Sequence, residues 1–451
     1  MRRAHTSFTL AIVSTRTEPA TPAVGNRPSR RAVLASGIGN FVEQYDFGVY
    51  GYLAPILAPL FFPDENPVAG LLATYGIYAI SFIMRPVGGA LFGVIGDRLG
   101  RRAMLSLTVL LIGVFTGLIG VLPTYASAGI AAPILLLVLR MLQGLAAGGE
   151  YSGAVGFMVE HAPPHRRGFF ASFASLGVYL GLMSGAATAT VLTATLTDEQ
   201  LATWGWRLPF LIAIPLCALG LVLRLAVEES PEFERFKREQ GAVEASPLRT
   251  TLRTQWRAIL LYIGMTVGGS VSSYSVITYL PQHLINDVGL DSDAAFATSV
   301  IAMGVLLVTL PFTGLLVDRV GRKPVHLTAA AIYVVLPAVA YTIADDGTFA
   351  SALTAQLLFM IPVSLNSAVV TVLIPELFPT RVRATASGIG FNVSYGLFGG
   401  TAPLVGTALV AATGTVLSVA AYASVAALIS LLVCVFFFRE TRDTDLAADK
   451  V

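Results

Sequence analysis

Five ionisable residues lie inside long apolar stretches of the first half of this chain, where they could bind protons or an ionic substrate. Glu43 and Asp46 are three residues apart and so share one face of a helix. Arg85, Arg140 and Glu150 follow in later stretches, whereas the interpretation of the second half places no ionisable group in its apolar stretches. A charge at membrane depth costs about 2.5–3.5 kcal/mol on insertion scales, so such residues are generally functional. Three carboxylates beside two guanidiniums predict one acid without a fixed partner.

Asp46 and Arg140 are the predicted proton-coupling pair, because protonation of Asp46 would release Arg140 to interact elsewhere. Glu43 and Glu150 are further candidates for proton binding. The alternative is that these residues form inert ion pairs that hold the helices of a bundle together.

One cation, several aromatic side chains and an amide are the predicted substrate-binding residues: Arg85, Tyr45, Tyr50, Tyr274, Tyr279 and Asn392. Arg85 is the cation that the pairing above leaves for a substrate carboxylate. The tyrosines could surround a quaternary ammonium group, since cations bind the faces of aromatic rings. Further neutral polar side chains of the second half, including Ser273, Asn366 and Tyr395, could either contact substrate or join helices by hydrogen bonds.

The elements that would position these side chains are twelve apolar segments, each long enough to cross a bilayer. They lie near 32–60, 69–96, 103–122, 131–160, 168–194, 207–227, 256–282, 294–317, 325–344, 350–375, 383–410 and 415–438. Apolar residues make up 55% of the 451 residues and charged residues only 12%. Soluble proteins carry about 25% charged residues, so lipid is the expected surrounding of this chain.

A charged motif ends the second segment and recurs at the end of the eighth; we call its two copies, 93–102 and 314–323, the clasp. The predicted gate residues are Gly93, Asp97, Arg98, Gly100 and Arg101 in one copy, Asp318, Arg319, Gly321 and Arg322 in the other, and Glu160 and Glu376 after the fourth and tenth segments. An aspartate at the C-terminal end of a helix opposes the helix dipole, so Asp97 and Asp318 require a cation or another helix N-terminus. We expect the clasp to form a cytoplasmic gate between two halves; the alternative is that it only fixes topology and loop geometry.

This duplication predicts an all-α membrane protein of twelve transmembrane helices in two pseudo-symmetric six-helix bundles. The expected divisions are a disordered N-terminal tail (1–31), the first bundle (32–228), an inter-bundle loop (229–255), the second bundle (256–440) and a short C-terminal tail (441–451). All of the 29 basic residues except Arg85, Arg140 and Arg207 fall on the side of the two termini. The positive-inside rule makes that side cytoplasmic, in a multi-pass protein of the cell's inner (plasma) membrane.

The assembled motifs resemble the major facilitator superfamily and, within it, the metabolite:proton symporter family. The resemblance rests on Gly39–Phe47, Arg85–Gly89, Arg140–Gly144, Gly148–Tyr151, Trp204–Phe210 and Glu229–Pro231, together with the clasp. Gln44 stands where the family usually has tryptophan. The resemblance implies substrates that are small organic acids or zwitterionic osmolytes such as proline and betaine, and segments around Tyr279 and Asn392 look most like the proline/betaine branch. It also matches Asp46 and Arg140 to an acid–arginine pair linked to proton coupling in sugar porters.

The predicted function is proton-coupled symport of a zwitterionic or anionic metabolite by alternating access. A proton-coupled antiporter that exports a drug or metabolite is the alternative. No nucleotide-binding loop, metal-ligand pattern or catalytic motif is present in the sequence, so we expect no enzyme activity and no cofactor beyond a proton gradient. The expected partners are the small-molecule substrate, protons and the lipid bilayer, without nucleic acid, for a protein that functions as a monomer.

Overall fold

Long helices make up nearly all of the computed structural model, which describes residues 30–63, 67–160, 162–226, 247–379 and 382–444. Eleven helices in these ranges are long and apolar enough to cross a membrane. A further helix of 32 residues precedes them, made less apolar by Glu43, Gln44 and Asp46. We label this helix, Arg30–Phe61, α1, and the eleven spans α2 to α12: Val68–Leu99, Arg101–Gly120, Ala131–Gly156, Arg167–Thr195, Gly205–Leu225, Trp256–Val288, Ser292–Val320, Arg322–Ala344, Phe349–Leu377, Arg383–Thr413 and Leu417–Phe437.

The predicted fold is confirmed: α1–α6 and α7–α12 form two pseudo-symmetric bundles. The bundles meet where α5 packs against α8, α2 packs against α11, and α1 packs against α7. We call the end of the molecule that carries the clasp the clasp end. Residues 227–246, which include most of the predicted inter-bundle loop (229–255), lie outside the described residues, and Pro247–Thr254 is a short helix. The outer parts of both predicted tails, 1–29 and 445–451, likewise lie outside them.

Two of the helices of the first bundle are interrupted where they carry functional candidates. α2 consists of Pro67–Ile83 and Arg85–Leu99, because Pro86 lacks the backbone N–H that a continuous helix would use. α4 is interrupted at Gly148, where an added Cβ would lie 2.3 Å from the carbonyl oxygen of Arg85. The two interruptions therefore pack directly against each other and fix the position of Arg85.

In the second bundle, three stretches of π-helix widen the backbone. Ser275–Tyr279 and Leu284–Val288 lie in α7, and Asn392–Gly399 lies in α11. Such turns carry an extra residue and occur frequently at functional sites. Both helices face the first bundle, so these turns rotate the side chains that border the space between the bundles.

Candidate transport site and gates

Both acids of α1 pair with arginines of neighbouring helices. Glu43 Oε1 lies 2.7 Å from Arg85 Nη2, and Arg140 Nη1 donates to Asp46 Oδ2 at 2.7 Å. All four side chains are buried. The ring of Phe47 lies beside both arginines, with its centroid 4.1 Å from Cζ of Arg85 and 5.4 Å from Cζ of Arg140. The two ion pairs are therefore neighbours that share one aromatic ring.

Glu150 of α4 pairs with Arg224, near the end of α6. Arg224 Nη1 donates to Glu150 Oε2 at 2.9 Å, and Thr108 Oγ1 donates to the same oxygen at 2.6 Å. The prediction that one acid lacks a fixed partner is therefore wrong. Because basic residues near helix ends commonly extend to the membrane surface, the sequence placed Arg224 there, but it is only 3% exposed. A side chain at Gly39 would overlap this pair, which accounts for the glycine.

Arg140 has a second set of contacts beyond Asp46. It also donates to Gln143, whose Nε2 donates to Thr116 Oγ1 at 2.6 Å. Its Cζ lies 3.9 Å from the ring centroid of Tyr50, so Tyr50 stacks on this arginine instead of facing a substrate.

A cavity of about 50 Å³ lies between the bundles. This is room for a few water molecules. Its lining is aromatic and polar, and Arg85 is its single charged side chain: Gln44, Arg85, Tyr151, Ser175, Val178, Tyr179, Leu182, Ser273, Tyr274, Ile277, Thr278, Ser367, Val370, Phe391 and Tyr395. Both bundles contribute, so a ligand held here would contact the two halves at once.

The aromatic part of this lining is a stack that crosses the bundle interface. The ring centroids of Tyr151 and Phe391 are 4.1 Å apart, and those of Phe391 and Tyr395 are 4.7 Å apart. Tyr179 shares a hydrogen bond of 2.7 Å with Ser367 across the same interface. Tyr395 is among the polar side chains of the second half that the sequence predicts to contact substrate or join helices. Tyr151 and Phe391 could not be selected from the sequence, because the choice depends on how each helix is rotated about its axis.

Among the four tyrosines predicted to bind substrate, Tyr274 alone lines the cavity. Tyr45 donates its hydroxyl to the carbonyl of Pro209 at 3.2 Å. Tyr279 lies beyond the cavity, toward the end opposite the clasp. The structure therefore does not bring the predicted aromatic box together, since nearness in sequence to the acids of α1 does not set which way a side chain faces.

Asn366 and Asn392 join elements of the structure instead of lining the cavity. Asn392 Nδ2 donates to the carbonyl oxygens of Gly148 and Gly388, each at 2.6 Å, and so ties α11 to α4. Asn366 Nδ2 donates to the hydroxyl of Tyr395 at 3.0 Å. Asn366 therefore positions a residue of the cavity wall.

The clasp aspartates each bind the N-terminal end of a helix of the other bundle. Asp318 Oδ1 and Oδ2 accept from the backbone N–H groups of Gly168 at 2.8 Å and Phe169 at 2.9 Å, in the first turn of α5. Asp97 Oδ2 accepts from Thr385 Oγ1 at 2.7 Å, in the first turn of α11. The first N–H groups of a helix lack internal partners and carry partial positive charge. Each aspartate therefore supplies an acceptor to the helix end and gains a positive partner for its own charge.

Three clasp glycines are explained by backbone geometry. Gly100 and Gly321 have φ values of 101° and 106°, which L-residues with side chains rarely adopt. At Gly93, an added Cβ would lie 2.9 Å from Cα of Thr385 in the opposite bundle. Close approach of α2 and α11 therefore requires glycine there.

The basic residues of the clasp and the two predicted gate glutamates differ in how many contacts they make. Arg322 forms a two-pronged ion pair with Glu376, at 2.7 Å and 3.1 Å, and Thr441 Oγ1 donates to Glu376 Oε2 at 2.6 Å. Arg101 is buried near Asp97, whereas Arg98 and Arg319 are exposed. Glu160 ends the helix Glu150–Glu160, and its side chain lies outside the described part of the structure.

A glutamate that the sequence prediction did not select, Glu440, caps the helix that follows the second clasp copy. Its carboxylate accepts from the backbone N–H groups of Arg322 and Lys323, each at 2.9 Å. Burial alone would raise the pKa of Glu440, but these backbone donors hold it below its ordinary value.

Comparison with known proteins identifies the family. The Major Facilitator Superfamily model matches residues 37–391 and 292–450. The chain belongs to the Major Facilitator Superfamily. It is 39% identical over 389 residues to the ectoine/proline transporter ProP of Corynebacterium glutamicum, covering 83% of this chain and 77% of that protein. It is 34% identical over 389 residues to the proline/betaine transporter of Escherichia coli K12, covering 84% and 78%.

The fold has solved counterparts. The structure of the proton:xylose symporter XylE bound to 6-bromo-6-deoxy-D-glucose superimposes with a TM-score of 0.75 at 20% identity, covering 92% of this chain and 97% of XylE. The resemblance to the proline/betaine branch is thus confirmed by the relatives. The protein is a multi-pass membrane transporter of a small solute and is not an enzyme.

At the end of this transporter opposite the clasp, a vestibule of about 790 Å³ lies between α1, α2, α7 and α11. The contact between α1 and α7 separates it from the central cavity. Tyr52 donates its hydroxyl to the carbonyl of Ile277 at 2.9 Å, and Gln282 Nε2 donates to the carbonyl of Gly51 at 3.3 Å. One helical turn of α7, which contributes to both walls, is therefore the barrier between vestibule and cavity.

Two histidines of the second bundle are buried. His326 lies within the predicted segment 325–344 and contradicts the prediction that these segments hold no ionisable group, whereas His283 follows the end of the segment 256–282. His326 of α9 contacts the carbonyl oxygen of Met265 through Nε2 at 2.9 Å. His283, on the vestibule wall, contacts Asp287 Oδ2 at 2.7 Å and Asp345 Oδ1 at 2.9 Å through its two ring nitrogens. An imidazole can donate through both nitrogens when it is protonated, so His283 can join α7 to the end of α9.

Proposed function

We propose that this transporter is a proton-coupled symporter that takes up a zwitterionic osmolyte of the proline or betaine type by alternating access. The observation that carries the proposal is the composition of the central cavity. One guanidinium, Arg85, and the aromatic side chains of Tyr151, Phe391 and Tyr395 border the same small space. A carboxylate suits the guanidinium, and a quaternary or secondary ammonium suits the aromatic rings.

The charge of the cavity favours a zwitterion over an organic acid. Arg85 is paired with Glu43, so this pair contributes no net charge. A net anion would bring an uncompensated charge into a buried site, which is costly, whereas a zwitterion is neutral overall. The names of three relatives support the same class, since they specify ectoine, proline, betaine or glycine betaine as substrates.

Asp46 and Arg140 are the proposed coupling pair for the proton. Protonation of Asp46 would leave Arg140 held by Gln143 and by the rings of Tyr50 and Phe47, and this change would alter how α1 and α4 pack. We place the clasp end in the cytoplasm, on the basis of the distribution of lysine and arginine. The vestibule then opens to the outside of the inner membrane, and the protein works as a monomer.

Transport by purified protein in proteoliposomes tests the proposal. We expect an inward proton gradient to drive accumulation of proline, glycine betaine or ectoine, and not of dicarboxylates or shikimate. Accumulation of an organic acid alone would refute the proposed substrate class. Expulsion of preloaded substrate by the same gradient would establish the antiporter instead.

Substitution of the coupling acid tests the proton step. Asp46→Asn should abolish accumulation driven by a pH gradient while exchange of labelled for unlabelled substrate continues, because a neutral side chain cannot release a proton. Asp346→Asn, at an exposed site on the C-terminal side of α9, is the matched control and should behave as the wild type. If Asp46→Asn still concentrates substrate, another group carries the proton.

A further inference from the structure

A carboxylate that enters the central cavity meets an arginine that already has a partner. Arg85 lines the cavity, and its Nη2 lies 2.7 Å from Oε1 of Glu43, with both side chains about 1% exposed. A substrate carboxylate and Glu43 would therefore compete for a single guanidinium. Two carboxylates cannot both remain charged beside one buried cation without a large electrostatic cost.

The ion pair keeps unused hydrogen-bonding capacity. Among the described residues, Glu43 Oε2 and Arg85 Nε have no hydrogen-bond partner. Gln44 Nε2 donates to Glu43 Oε1 at 3.2 Å, and Gln44 lines the cavity as well. Buried polar atoms are normally satisfied, so these open positions indicate where a polar group of a ligand would be accepted.

Aromatic rings hold the arginine in place independently of Glu43. Cζ of Arg85 lies 4.1 Å from the ring centroid of Phe47 and 4.4 Å from that of Phe82. Such contacts attract a guanidinium electrostatically. Arg85 would thus stay at the cavity wall if its carboxylate partner were exchanged.

The remaining charges around Glu43 have partners of their own. In the described part of the chain, the titratable groups that act on it or feel its charge are Asp46 on α1, Arg85 on α2, Glu150 and Tyr151 on α4, Arg224 on α6 and Tyr274 on α7. Arg140 engages Asp46, and Glu150 engages Arg224. Arg85 is therefore the cation that compensates Glu43, and its loss to a substrate would leave Glu43 as an uncompensated buried charge.

We propose that the substrate carboxylate displaces Glu43 from Arg85 and that Glu43 takes up one proton as it is displaced. The proton comes from water and joins the released carboxylate, while the substrate carboxylate stays ionised on Arg85. Arg85 thus keeps one carboxylate partner, and the site gains one positive charge, that of the substrate ammonium, which the aromatic rings of the cavity face. On release of the substrate, Glu43 returns the proton to water and pairs with Arg85 again. Substrate binding is thereby coupled to a proton before the bundles move, separately from Asp46. The inference rests on the proposed transport of zwitterions.

Equilibrium binding without any gradient tests this exchange. Binding of labelled glycine betaine to purified wild-type protein should weaken as the pH rises, by about tenfold per pH unit where Glu43 is ionised. Glu43→Gln should bind as tightly as the protonated wild type at every pH, because a neutral amide does not compete for Arg85. Glu199→Gln, at an exposed site, is the matched control and should keep the wild-type slope. A Glu43→Gln variant with the wild-type pH slope would overturn the proposal.

A second variant tests the role of Arg85 without leaving an unpaired acid. In the Glu43→Gln background, Arg85→Met should abolish the preference for glycine betaine over choline, which has the same ammonium group but no carboxylate. A retained preference would mean that another group binds the carboxylate.

The Asp46→Asn variant separates the two proposals. It should keep the pH-dependent binding through Glu43 but lose the gradient-driven accumulation, because the empty carrier is expected to return only when Asp46 has released its proton. Wild-type protein that binds no zwitterion at any pH would instead refute the proposed function.

Discussion

Glu150 differs from the two acids of α1 in how completely it is hydrogen-bonded. It accepts from Thr108 and from two nitrogens of Arg224. Glu43 Oε2 and Asp46 Oδ1, in contrast, have no hydrogen-bond partner within the described ranges. Because donors already occupy both carboxylate oxygens of Glu150, we assign this residue to the stability of the first bundle and leave proton binding to α1.

Breaking the Glu150–Arg224 pair should therefore affect stability more than coupling. Glu150→Gln or Arg224→Met alone leaves a buried charge unpaired, which costs about 3–5 kcal/mol. The double variant removes both charges and should recover most of that loss. Thermal unfolding in detergent measures the effect, with Asp346→Asn as control. A double variant as unstable as the sum of the single ones would contradict a direct interaction.

At the scale of single residues, the sequence predicted one of the three ion pairs of the first bundle, Asp46–Arg140, and missed the pairing of Glu43 with Arg85 and of Glu150 with Arg224. The pairing of Asp46 with Arg140 could be expected because an acid and an arginine at similar depth in adjacent helices have few alternatives. Arg224 could not be recognised as buried, since its position at a helix end is typical of surface residues. The wall formed by Tyr151, Phe391 and Tyr395 depends on the rotation of three helix segments, which hydropathy does not encode.

At the scale of the helices, the first turns of α5 and α11 donate hydrogen bonds to the clasp aspartates. Asp318→Asn should weaken the contact with α5, because a neutral amide has one accepting oxygen for two N–H groups. A hydrogen bond to a charged group contributes about 1.5–3 kcal/mol, so the clasp end should open about ten- to a hundredfold more often.

Accessibility of the cavity measures this opening. A cysteine introduced at Ser175, on the cavity wall, should react faster with a membrane-impermeant maleimide applied from the clasp end in the Asp318→Asn variant. Asp346→Asn in the same cysteine background is the control. Equal labelling rates in all three proteins would mean that Asp318 does not hold the gate closed.

The cap that Glu440 places on α9 predicts a pH dependence of stability. Its pKa is lower in the folded protein, so its contribution is present at neutral pH and is lost as the pH falls through the folded value. Glu440→Gln should lower the free energy of unfolding by about 1 kcal/mol at neutral pH, as loss of a helix cap does. The difference from wild type should begin to shrink as the pH reaches the ordinary glutamate pKa of about 4.3 and should disappear below the lower folded value. A difference that persists there would assign the effect to packing.

Helix number and approximate bounds could be predicted, but helix irregularities could not. The predicted segment 32–60 corresponds to Arg30–Phe61, for example. The π-helical turns of Asn392–Gly399 depend on packing against the other bundle, so the local sequence does not predict them. The interruption before Pro86 carries a local signal, yet only the structure shows that it meets the one at Gly148.

At the scale of the whole molecule, the two bundles contribute different kinds of side chain to the transport site. The first bundle supplies the three ion pairs, and the second supplies neutral groups such as Ser273, Tyr274 and Tyr395 to the cavity. Both clasp copies are engaged while the vestibule is open at the other end. The structure is therefore a state closed at the clasp end, in which the cavity is too small for substrate and must widen as one enters from the vestibule.

The two ends of the molecule differ in how they tolerate change. At the clasp end, the backbones of the two bundles also approach each other closely: an added Cβ at Gly168 would lie 2.6 Å from the carbonyl oxygen of Gly314, and one at Gly89 would lie 2.8 Å from that of Gly388. At the vestibule end, contacts such as Tyr52 to Ile277 use side chains that can adopt other rotamers. A methyl group added at one of these glycines would therefore separate the bundles at the clasp end and favour the conformation that is open there. Alanine substitutions at these glycines therefore offer a way to trap the conformation that is open at the clasp end, which this structure does not adopt.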